Sequence, residues 1–460
     1  MNLERAGQFL NKPVDAATLV CFRMFFGALM ASEAFHKYYG NIPKDYAYGK
    51  LHFTYPLFEW VTPWPSLGMQ VIVIIMGLAA VGIMVGFYYR DCALIYLLTY
   101  TYIFLIEQAR YNNHYYLIIL LAFLLTIVKG DACAAVDNLR RQNPRRGLVP
   151  YWNLLILRTQ MVIVYFYGGL AKLNADWLHG EPMRHWLHNR IHYPVVGRFF
   201  AEEWAVYFFA YGGLLFDLSI GFLLLWKRTR FIALVPFVFF HLMNNWLFSI
   251  GVFPVLAVGA VVLFFEPDAP RRWLARVGAV LPEPQPMEQP SGSLRRAPLL
   301  IVFLAAYVLV QCLVPLRHFL YEGNVSWNEA GHTFAWHMKL RDKDCRATFT
   351  VTDSETGEQW IVGAEEQRIH MTSTQRRRAL ARPQMILQYA HFLRDNYEAL
   401  GVHRPIVKAD VQVSLNGRPY RPMIDPDADL AQRKYRLFRT PDWVLPLEKG
   451  LPIGVYPEKE

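Results

Sequence analysis

Long apolar stretches separated by short polar segments dominate the first two thirds of the chain. A helix that crosses a bilayer needs about 20 apolar residues. The pattern predicts nine spans, at residues 16–34, 69–88, 92–107, 114–129, 153–171, 205–226, 231–248, 250–266 and 297–315. No small-residue cleavage site follows the first stretch, so we interpret it as a retained span rather than a signal peptide. The chain is therefore predicted to be a multi-pass α-helical membrane protein.

After residue 316 the apolar runs give way to alternating, β-branched sequence. Alternation and turn residues predict a hairpin and a further strand around one helix, with strands at 345–353, 359–363 and 406–415, a helix at 384–400 and a tight turn at Asn416–Gly417. We expect an extramembrane β-rich domain, either sandwich-like or α+β. The predicted division is a transmembrane helical domain at 1–280, a Pro-rich inner linker at 281–296, a last transmembrane helix at 297–315 and an outer domain at 316–460.

Composition and charge agree with a membrane protein. Of the 460 residues, 54% are hydrophobic and 18% are charged, whereas soluble domains average about 25% charged residues. The net charge of +10 lies in loops after the even-numbered spans, at Arg90, at the arginines of 140–146, at Lys227–Arg230 and at Arg271–Arg272. The positive-inside rule then puts the N-terminus in the cytoplasm and the C-terminal domain outside, and it removes the argument for nucleic-acid binding.

Two ionisable residues lie at the outer ends of predicted spans. Lys172 closes the fifth span and His114 opens the fourth, and charge at such a depth is costly enough to favour a functional role. Lys172 is either a snorkelling anchor or a general base. The second role needs a neutral amine, which burial favours and the helix dipole opposes. His114 is either structural or a neutral hydrogen-bonding group that stabilises an oxyanion.

Other polar residues leave alternatives open. His185, His188 and His192 share one helical face, which suits a zinc site or an amphipathic surface helix within 172–204; we favour the helix and expect no metal. Asp217 and Arg158 are expected to pair inside the membrane. Cys312 and Cys345 are near enough to the outer side to pair. Phosphate-loop and dinucleotide motifs are absent, so neither ATP nor a dinucleotide is expected.

Several motifs together resemble the vitamin K-dependent gamma-glutamyl carboxylase family, also described as the horizontally transferred transmembrane domain family. Residues 111–117 (YNNHYYL) resemble the family's WNNHSYL, and residues 171–177 (AKLNADW) resemble its KKLDADW. Further similarity covers residues 149–166, 216–224, 240–251, 334–338 and 413–426. Two departures are a single lysine in place of the paired lysines, and a chain without the long C-terminal extension of animal members. The shorter chain favours a bacterial homologue.

The resemblance implies an enzyme that uses vitamin K hydroquinone (phylloquinone or menaquinone class), O2 and CO2 to convert peptidyl glutamate to γ-carboxyglutamate, with vitamin K epoxide as co-product. It implies that Lys172 deprotonates the hydroquinone and that His114 assists at the oxygenated quinone. We expect the quinol pocket at Tyr111, Asn112, Asn113, Tyr167, His241 and Asn244, and recognition of the glutamate peptide or protein at Phe334, Trp336 and Met338.

Two alternatives remain open at this stage. One is a quinol epoxidase or oxygenase that does not carboxylate glutamate, and the other is a non-enzymatic membrane protein that binds lipids or peptides. The expected location is a bacterial inner membrane with the site facing the periplasm, or the ER membrane with the site facing the lumen.

Overall fold

The structure is a computed structural model that describes residues 3–40, 42–141, 147–248, 250–278, 283–284 and 293–447. Most of the predicted linker at 281–296 lies outside the described residues, as do residues 448–460 of the predicted outer domain.

A helical bundle forms the larger part of the molecule. Its helices are α1 (Leu3–Leu10), α2 (Ala17–Tyr39), α3 (Ile42–Tyr48), α4 (Ser66–Val85), α5 (Tyr89–Ile106), α6 (Asn113–Ile127), α7 (Val136–Arg140), α8 (Trp152–Leu170), α9 (Ala175–Leu178), α10 (Met183–His188), α11 (Glu203–Leu225), α12 (Arg230–Phe248), α13 (Phe253–Ala260), α14 (Ala269–Arg276) and α15 (Ser293–Leu316). Two short antiparallel strands, β1 (Pro13–Asp15) and β2 (Leu148–Pro150), precede α2 and α8 at one end of the bundle.

Every predicted apolar stretch is helical, but the predicted number of spans is too high. Among the described residues, six helices are long and apolar enough to cross a bilayer, and a seventh candidate is bent by 99° at its break before α14. The helices α5 and α6 are not among these candidate spans. The first turn of α5 carries Arg90 and Asp91, and α6 has only 15 residues. The prediction of nine spans is thus corrected to six or seven.

Both charged side chains that were expected to find partners inside the bundle have them. Asp217 pairs with Lys172. Arg158 on α8 donates hydrogen bonds to the carbonyl oxygens of Leu263 and Phe265, which end the 3₁₀ turn after α13. These carbonyls lack a partner within their own helix, so the guanidinium satisfies them.

The C-terminal domain contains one four-stranded antiparallel sheet with helices packed against it. The strand order is β4-β3-β5-β6, and the elements are α16 (Val325–Asn328), β3 (Lys343–Thr352), β4 (Gln359–Val362), α17 (Ala364–His370), α18 (Ser373–Ala379), α19 (Pro383–Ala399), β5 (Ile406–Leu415) and β6 (Arg421–Pro422). The predicted β3–β4 hairpin is confirmed. So is the turn at Asn416–Gly417, where both residues adopt positive φ. Of the two expected forms this is the α+β form, since the described residues of the domain contain one sheet.

Buried polar contacts attach the C-terminal domain to the end of the bundle where α8 ends. Arg418 donates to both carboxylate oxygens of Asp176, at 2.7 and 2.8 Å. Asn416 donates to the same carboxylate at 2.7 Å. A second contact joins Gln388 to both backbone polar groups of Thr54. Because the attached groups are buried, the domain is held in a defined position over the bundle.

The segment 172–204, which was predicted to contain an amphipathic surface helix, covers this end of the bundle. In α10, the side chains of Met183, Trp186 and Leu187 are buried in a cluster with residues of α11 and α12. His185 Nε2 lies 2.9 Å from Oδ2 of Asp342 in the C-terminal domain. Within the described ranges, no group of three or more His, Cys, Asp or Glu residues is arranged to hold a metal ion.

Candidate active site

A cavity of about 890 Å³ lies between the bundle and the C-terminal domain. Its bundle half is mostly aromatic, with walls from Phe208, Phe209, Phe216, Phe239, Phe240, Met243, Phe248 and Phe253. Its other half is mostly charged, with walls from Glu329, Lys339, Arg341, Asp342, Lys343, Arg377, Arg378 and Arg382. The cavity can therefore accommodate an apolar ring system and an anionic group side by side.

Lys172 and Asp217 lie in the wall of this cavity and form a buried ion pair. Lys172 Nζ is 2.6 Å from Asp217 Oδ2 and donates a second hydrogen bond to the Gly168 carbonyl oxygen at 3.0 Å. The two residues are only 5% and 4% exposed. Both charged groups are buried from solvent, so each is stabilised mainly by the opposite charge of the other. Sequence reasoning identified Lys172 but missed Asp217 as its partner.

A pair of glycines near the end of α8 allows this contact. A Cβ atom on Gly169 would lie 2.7 Å from the backbone nitrogen of Leu218 on α11, which is closer than real Cβ atoms come. The glycine therefore lets the two helices approach at Leu218, the residue next to Asp217. The Gly-Gly pair in YFYGGL was the available sequence signal for this close helix contact.

The N-terminus of α6 brings a second group of predicted residues to the cavity, namely Tyr111, Asn112, Asn113 and His114. Asn113 Nδ2 donates to the His337 carbonyl oxygen at 3.0 Å. The Tyr111 hydroxyl donates to Asn113 Oδ1 at 2.8 Å and accepts from the Phe334 backbone amide at 2.7 Å. These bonds join α6 to the C-terminal domain, and they leave the half-buried His114 ring facing the cavity from the first turn of α6.

Two residues predicted for the quinol pocket, His241 and Tyr167, do not line this cavity. Asn244 lines the cavity, but His241 lies behind its wall and contacts the hydroxyl of Tyr165 at 2.9 Å through Nε2. Tyr167 points toward α15, where its hydroxyl donates to the Cys312 carbonyl oxygen at 2.8 Å. Two residues that are two positions apart on a helix point to different faces, so Tyr165 lines the cavity and Tyr167 does not. Cys312 and Cys345 carry free thiols.

The segment 334–338 is placed only partly as predicted. Met338 lines the cavity, whereas Phe334 and Trp336 do not. Trp336 is buried against Tyr116 with ring centroids 5.1 Å apart, and Phe334 stacks among other aromatic side chains. Both are packing residues that support the segment. The backbone carbonyl of His337, between them and Met338, receives the bond from Asn113.

The charged half of the cavity was not predicted from the sequence. Glu329 is 11% exposed and forms ion pairs with Arg341 at 2.6 Å and Lys343 at 2.9 Å. Burial lowers the pKa of Lys343 to about 8, against the attraction of Glu329. Arg377, Arg378 and Arg382 add three further cations to the walls. The run of arginines at 376–378 was the sequence signal, but nothing in its spacing indicated that α18 lies over the bundle.

The aromatic half of the cavity includes two side chains that are also exposed on the surface. Phe208 on α11 and Phe239 on α12 line the cavity and are 62% and 61% exposed. Gly212, which also lines it, has no atom within 4 Å of the position that a Cβ would take. Both helices are candidate membrane spans, so we expect lipid to contact these exposed side chains.

Comparison with known proteins covers both halves of the molecule. Residues 11–269 match the HTTM domain family, and residues 296–450 match the family described as vitamin K-dependent gamma-carboxylase, lumenal domain. No solved structure matches the chain significantly. The first match covers more than half of the 460 residues, and the second contains the charged half of the cavity. The chain therefore belongs to the vitamin K-dependent gamma-carboxylase family.

Proposed function

We propose that this protein converts peptidyl glutamate to γ-carboxyglutamate with vitamin K hydroquinone, O2 and CO2, and releases vitamin K epoxide. The observation that carries the proposal is the buried Lys172–Asp217 pair, which lies in the wall of a cavity with an apolar half between candidate membrane spans and a cationic half under the C-terminal domain. A lipid quinol and an acidic side chain need these two environments.

The apolar half suits the quinol in size and in access. An aromatic ring fits against Phe216 and Phe240, whose own rings stack with centroids 3.9 Å apart, and the lipid tail leaves between α11 and α12. Asn244 and His114 supply polar atoms for the two quinol oxygens at the cavity wall. When bound, the hydroquinone supplies the strong base that removal of a glutamate γ-proton requires, once O2 has oxidised it.

Lys172 and Asp217 act together on the quinol proton. Charge separation is costly at a buried site, so moving the bridging proton from Lys172 Nζ to Asp217 Oδ2 exchanges two buried charges for two neutral groups. That transfer frees the lysine lone pair, which then accepts the hydroxyl proton of the quinol. Over the 2.6 Å separation the proton moves without rearrangement of either helix.

His114 is placed to stabilise negative charge that develops on an oxygen in the cavity. The first-turn amides of α6 point toward the cavity end of the helix and favour a neutral imidazole there. A neutral imidazole donates one hydrogen bond without adding charge. The Asn113–His337 hydrogen bond fixes α6 against the C-terminal domain, so the His114 ring stays beside the aromatic half of the cavity.

The cationic half suits the glutamate substrate. Arg341 and Lys343 share the single carboxylate of Glu329, and Arg377 and Arg382 are available to a carboxylate from outside. Guanidinium groups bind carboxylates in a two-pronged geometry that also orients them. We place this half on the outer side of the membrane, in the periplasm or the ER lumen, so the peptide and the quinol arrive by different routes.

A dual product assay tests the proposal. Purified protein in nanodiscs receives reduced vitamin K, O2, labelled bicarbonate and a short glutamate-containing peptide, and epoxide and peptide-bound label are counted together. Wild type is compared with Lys172→Ala and with Lys227→Ala, in which the removed amine is on the bundle surface and 79% exposed.

We expect wild type and Lys227→Ala to form both products and Lys172→Ala to form neither. Epoxide without label would restrict the function to quinol oxygenation. Absence of both products from folded wild-type protein would reject the proposal in favour of lipid or peptide binding.

A further inference from the structure

The short helix α14 lies at the end of the bundle that is away from the C-terminal domain. Glu266, just before α14, is 3.1 Å from Arg230, the first residue of α12. Phe248, at the other end of α12, lines the cavity under the C-terminal domain. The chain bends by 99° between residues 253–264 and α14. Because α13 packs against the candidate spans α2 and α12, the bend turns α14 along the plane of the membrane surface rather than across the bilayer.

One side of α14 is fixed to the bundle. Arg271 donates to both carboxylate oxygens of Asp15, at 2.8 and 3.1 Å, and the side chains of Ala269 and Pro270 are buried. The helix is therefore held in a defined orientation, and its remaining side is presented outward.

The outward side of α14 is amphipathic. Trp273 and Val277 are 39% and 78% exposed, and their spacing of four residues puts them on one face. Arg272 and Arg276, also exposed, have the same spacing on the adjoining face. Apolar and basic residues side by side on an exposed helix are typical of a helix that lies in the interface of a membrane.

The apolar face continues onto the neighbouring span. The Trp273 ring packs against Phe265 with centroids 4.9 Å apart, and Phe265 contacts Phe231 of α12 at 5.9 Å. Phe231 is itself mostly exposed. Since α12 is a candidate span, α14 lies beside the lipid that surrounds the start of α12.

Cations outnumber carboxylates at this end of the bundle. Lys227, Arg230 and Arg272 approach the single Glu266 carboxylate at 3.7, 3.1 and 3.9 Å. Arg272 also pairs with Asp268. Three cations thus share two carboxylates.

Two further arginines add to this excess. Arg228 follows Lys227 in the loop between α11 and α12, and Arg276 follows Arg272 by one helical turn. Both are exposed, and neither has a carboxylate at ion-pair distance among the residues that the structure describes. The surface therefore carries positive charge that its own side chains do not neutralise.

We propose that α14 and the loop between α11 and α12 form a binding surface for anionic phospholipids in the adjacent leaflet. Trp273 and Val277 enter the interfacial layer, where aromatic and apolar side chains are stabilised. Arg228 and Arg276 bind the phosphate groups, which suit the planar donor pairs of guanidinium. A zwitterionic headgroup brings its own cation and leaves the arginines less well neutralised, so the surface selects a lipid of the phosphatidylglycerol class.

Lipid retention tests this proposal without turnover. The purified full-length protein in a neutral detergent receives phosphatidylglycerol or phosphatidylcholine with the same acyl chains, and bound lipid is counted by native mass spectrometry. Arg276→Gln is compared with Arg404→Gln, which removes the same charge from an exposed position of the C-terminal domain. Val277→Glu is compared with Val277→Leu, which keeps the position apolar.

Wild type should bind phosphatidylglycerol more tightly than phosphatidylcholine. Arg276→Gln should weaken the affinity for phosphatidylglycerol by about fivefold, the effect of one basic residue near an anionic surface, and Val277→Glu should weaken it by at least as much. Arg404→Gln and Val277→Leu should bind like wild type. Inorganic phosphate should not displace the lipid, because it has no acyl chains. Equal affinity for the two lipids, unchanged affinity in Arg276→Gln or in Val277→Glu, or displacement by phosphate would overturn the proposal.

Discussion

Lys172 and Asp217 are 45 residues apart in the chain, yet Nζ and Oδ2 are 2.6 Å apart in the wall of the cavity between the bundle and the C-terminal domain. Each is the counter-charge of the other. Asp217→Asn should therefore leave a buried ammonium without compensation, at a cost of about 3–5 kcal/mol in the free energy of unfolding. Thermal unfolding in nanodiscs measures this loss. Ser219→Ala, on the same helix, removes a half-buried hydroxyl that bonds the Leu215 carbonyl of its own helix, and as the control it should unfold nearly like wild type.

The lysine itself should determine quinol turnover. If Lys172 is the base, Lys172→Ala should lower epoxide formation by about 10²-fold or more, the range for a lost general base. The cavity left by the side chain should admit a small primary amine and restore part of the activity, with a dependence on amine basicity. Full activity in Lys172→Ala would remove the residue from the mechanism.

The glycine contact between α8 and α11 should control the same pair indirectly. Gly169→Ala forces the Leu218 backbone away by several tenths of an ångström, which should cost about 1–3 kcal/mol of stability and lengthen the Lys172–Asp217 contact. Turnover should fall more than quinol affinity. Gly212→Ala adds the same methyl group on α11 at a position where nothing lies within 4 Å, and it should leave stability unchanged. Equal effects of the two substitutions would contradict this account.

The contact between Asp176 and Arg418 should hold the C-terminal domain in place. Arg418→Met leaves the buried Asp176 carboxylate unpaired, so we expect a loss of about 3–5 kcal/mol and faster proteolysis of the domain. Combining it with Asp176→Asn removes the unpaired charge and should recover part of the loss. Arg404→Met, at an exposed position, serves as the control. If the double substitution is as unstable as Arg418→Met alone, the charge is not the cause.

His337 should make the C-terminal domain sensitive to acid. Burial lowers the pKa of its imidazole from 6.5 to about 3, so the unfolded chain binds more protons than the folded chain between these values. Stability from this group is complete above about pH 6.5 and falls with pH, by about 2 kcal/mol between pH 7 and pH 5. The unfolding midpoint of His337→Asn should depend less on pH over this range than wild type, whereas exposed His192→Asn should not differ from wild type. Equal pH slopes in all three proteins would exclude His337 as the source.

The sequence predicted the helices well because apolar periodicity and length are local properties. The positions of Lys172, His114 and the hairpin at 345–363 followed from the same local patterns. The contacts between distant segments did not. Asp217 was expected to pair, but a helix sequence does not state which neighbour it touches, and the glycines that decide this are informative only once both helices are placed. The arginines of α18 were visible as a run, but their place over the cavity depends on how two domains dock.

The bond between Asp176 and Arg418 also bears on how the protein matures. It joins residues 242 positions apart, and synthesis starts at the N-terminus. Lys172 and Asp217 are therefore synthesised before the residues that enclose them on the other side. A nascent chain that has emerged only as far as α15 contains both residues but lacks the C-terminal half of the cavity. If Lys172 is the base that we propose, activity requires the last strands to fold and the Asn416–Arg418 turn to close on Asp176, and quinol chemistry begins only at the end of biosynthesis.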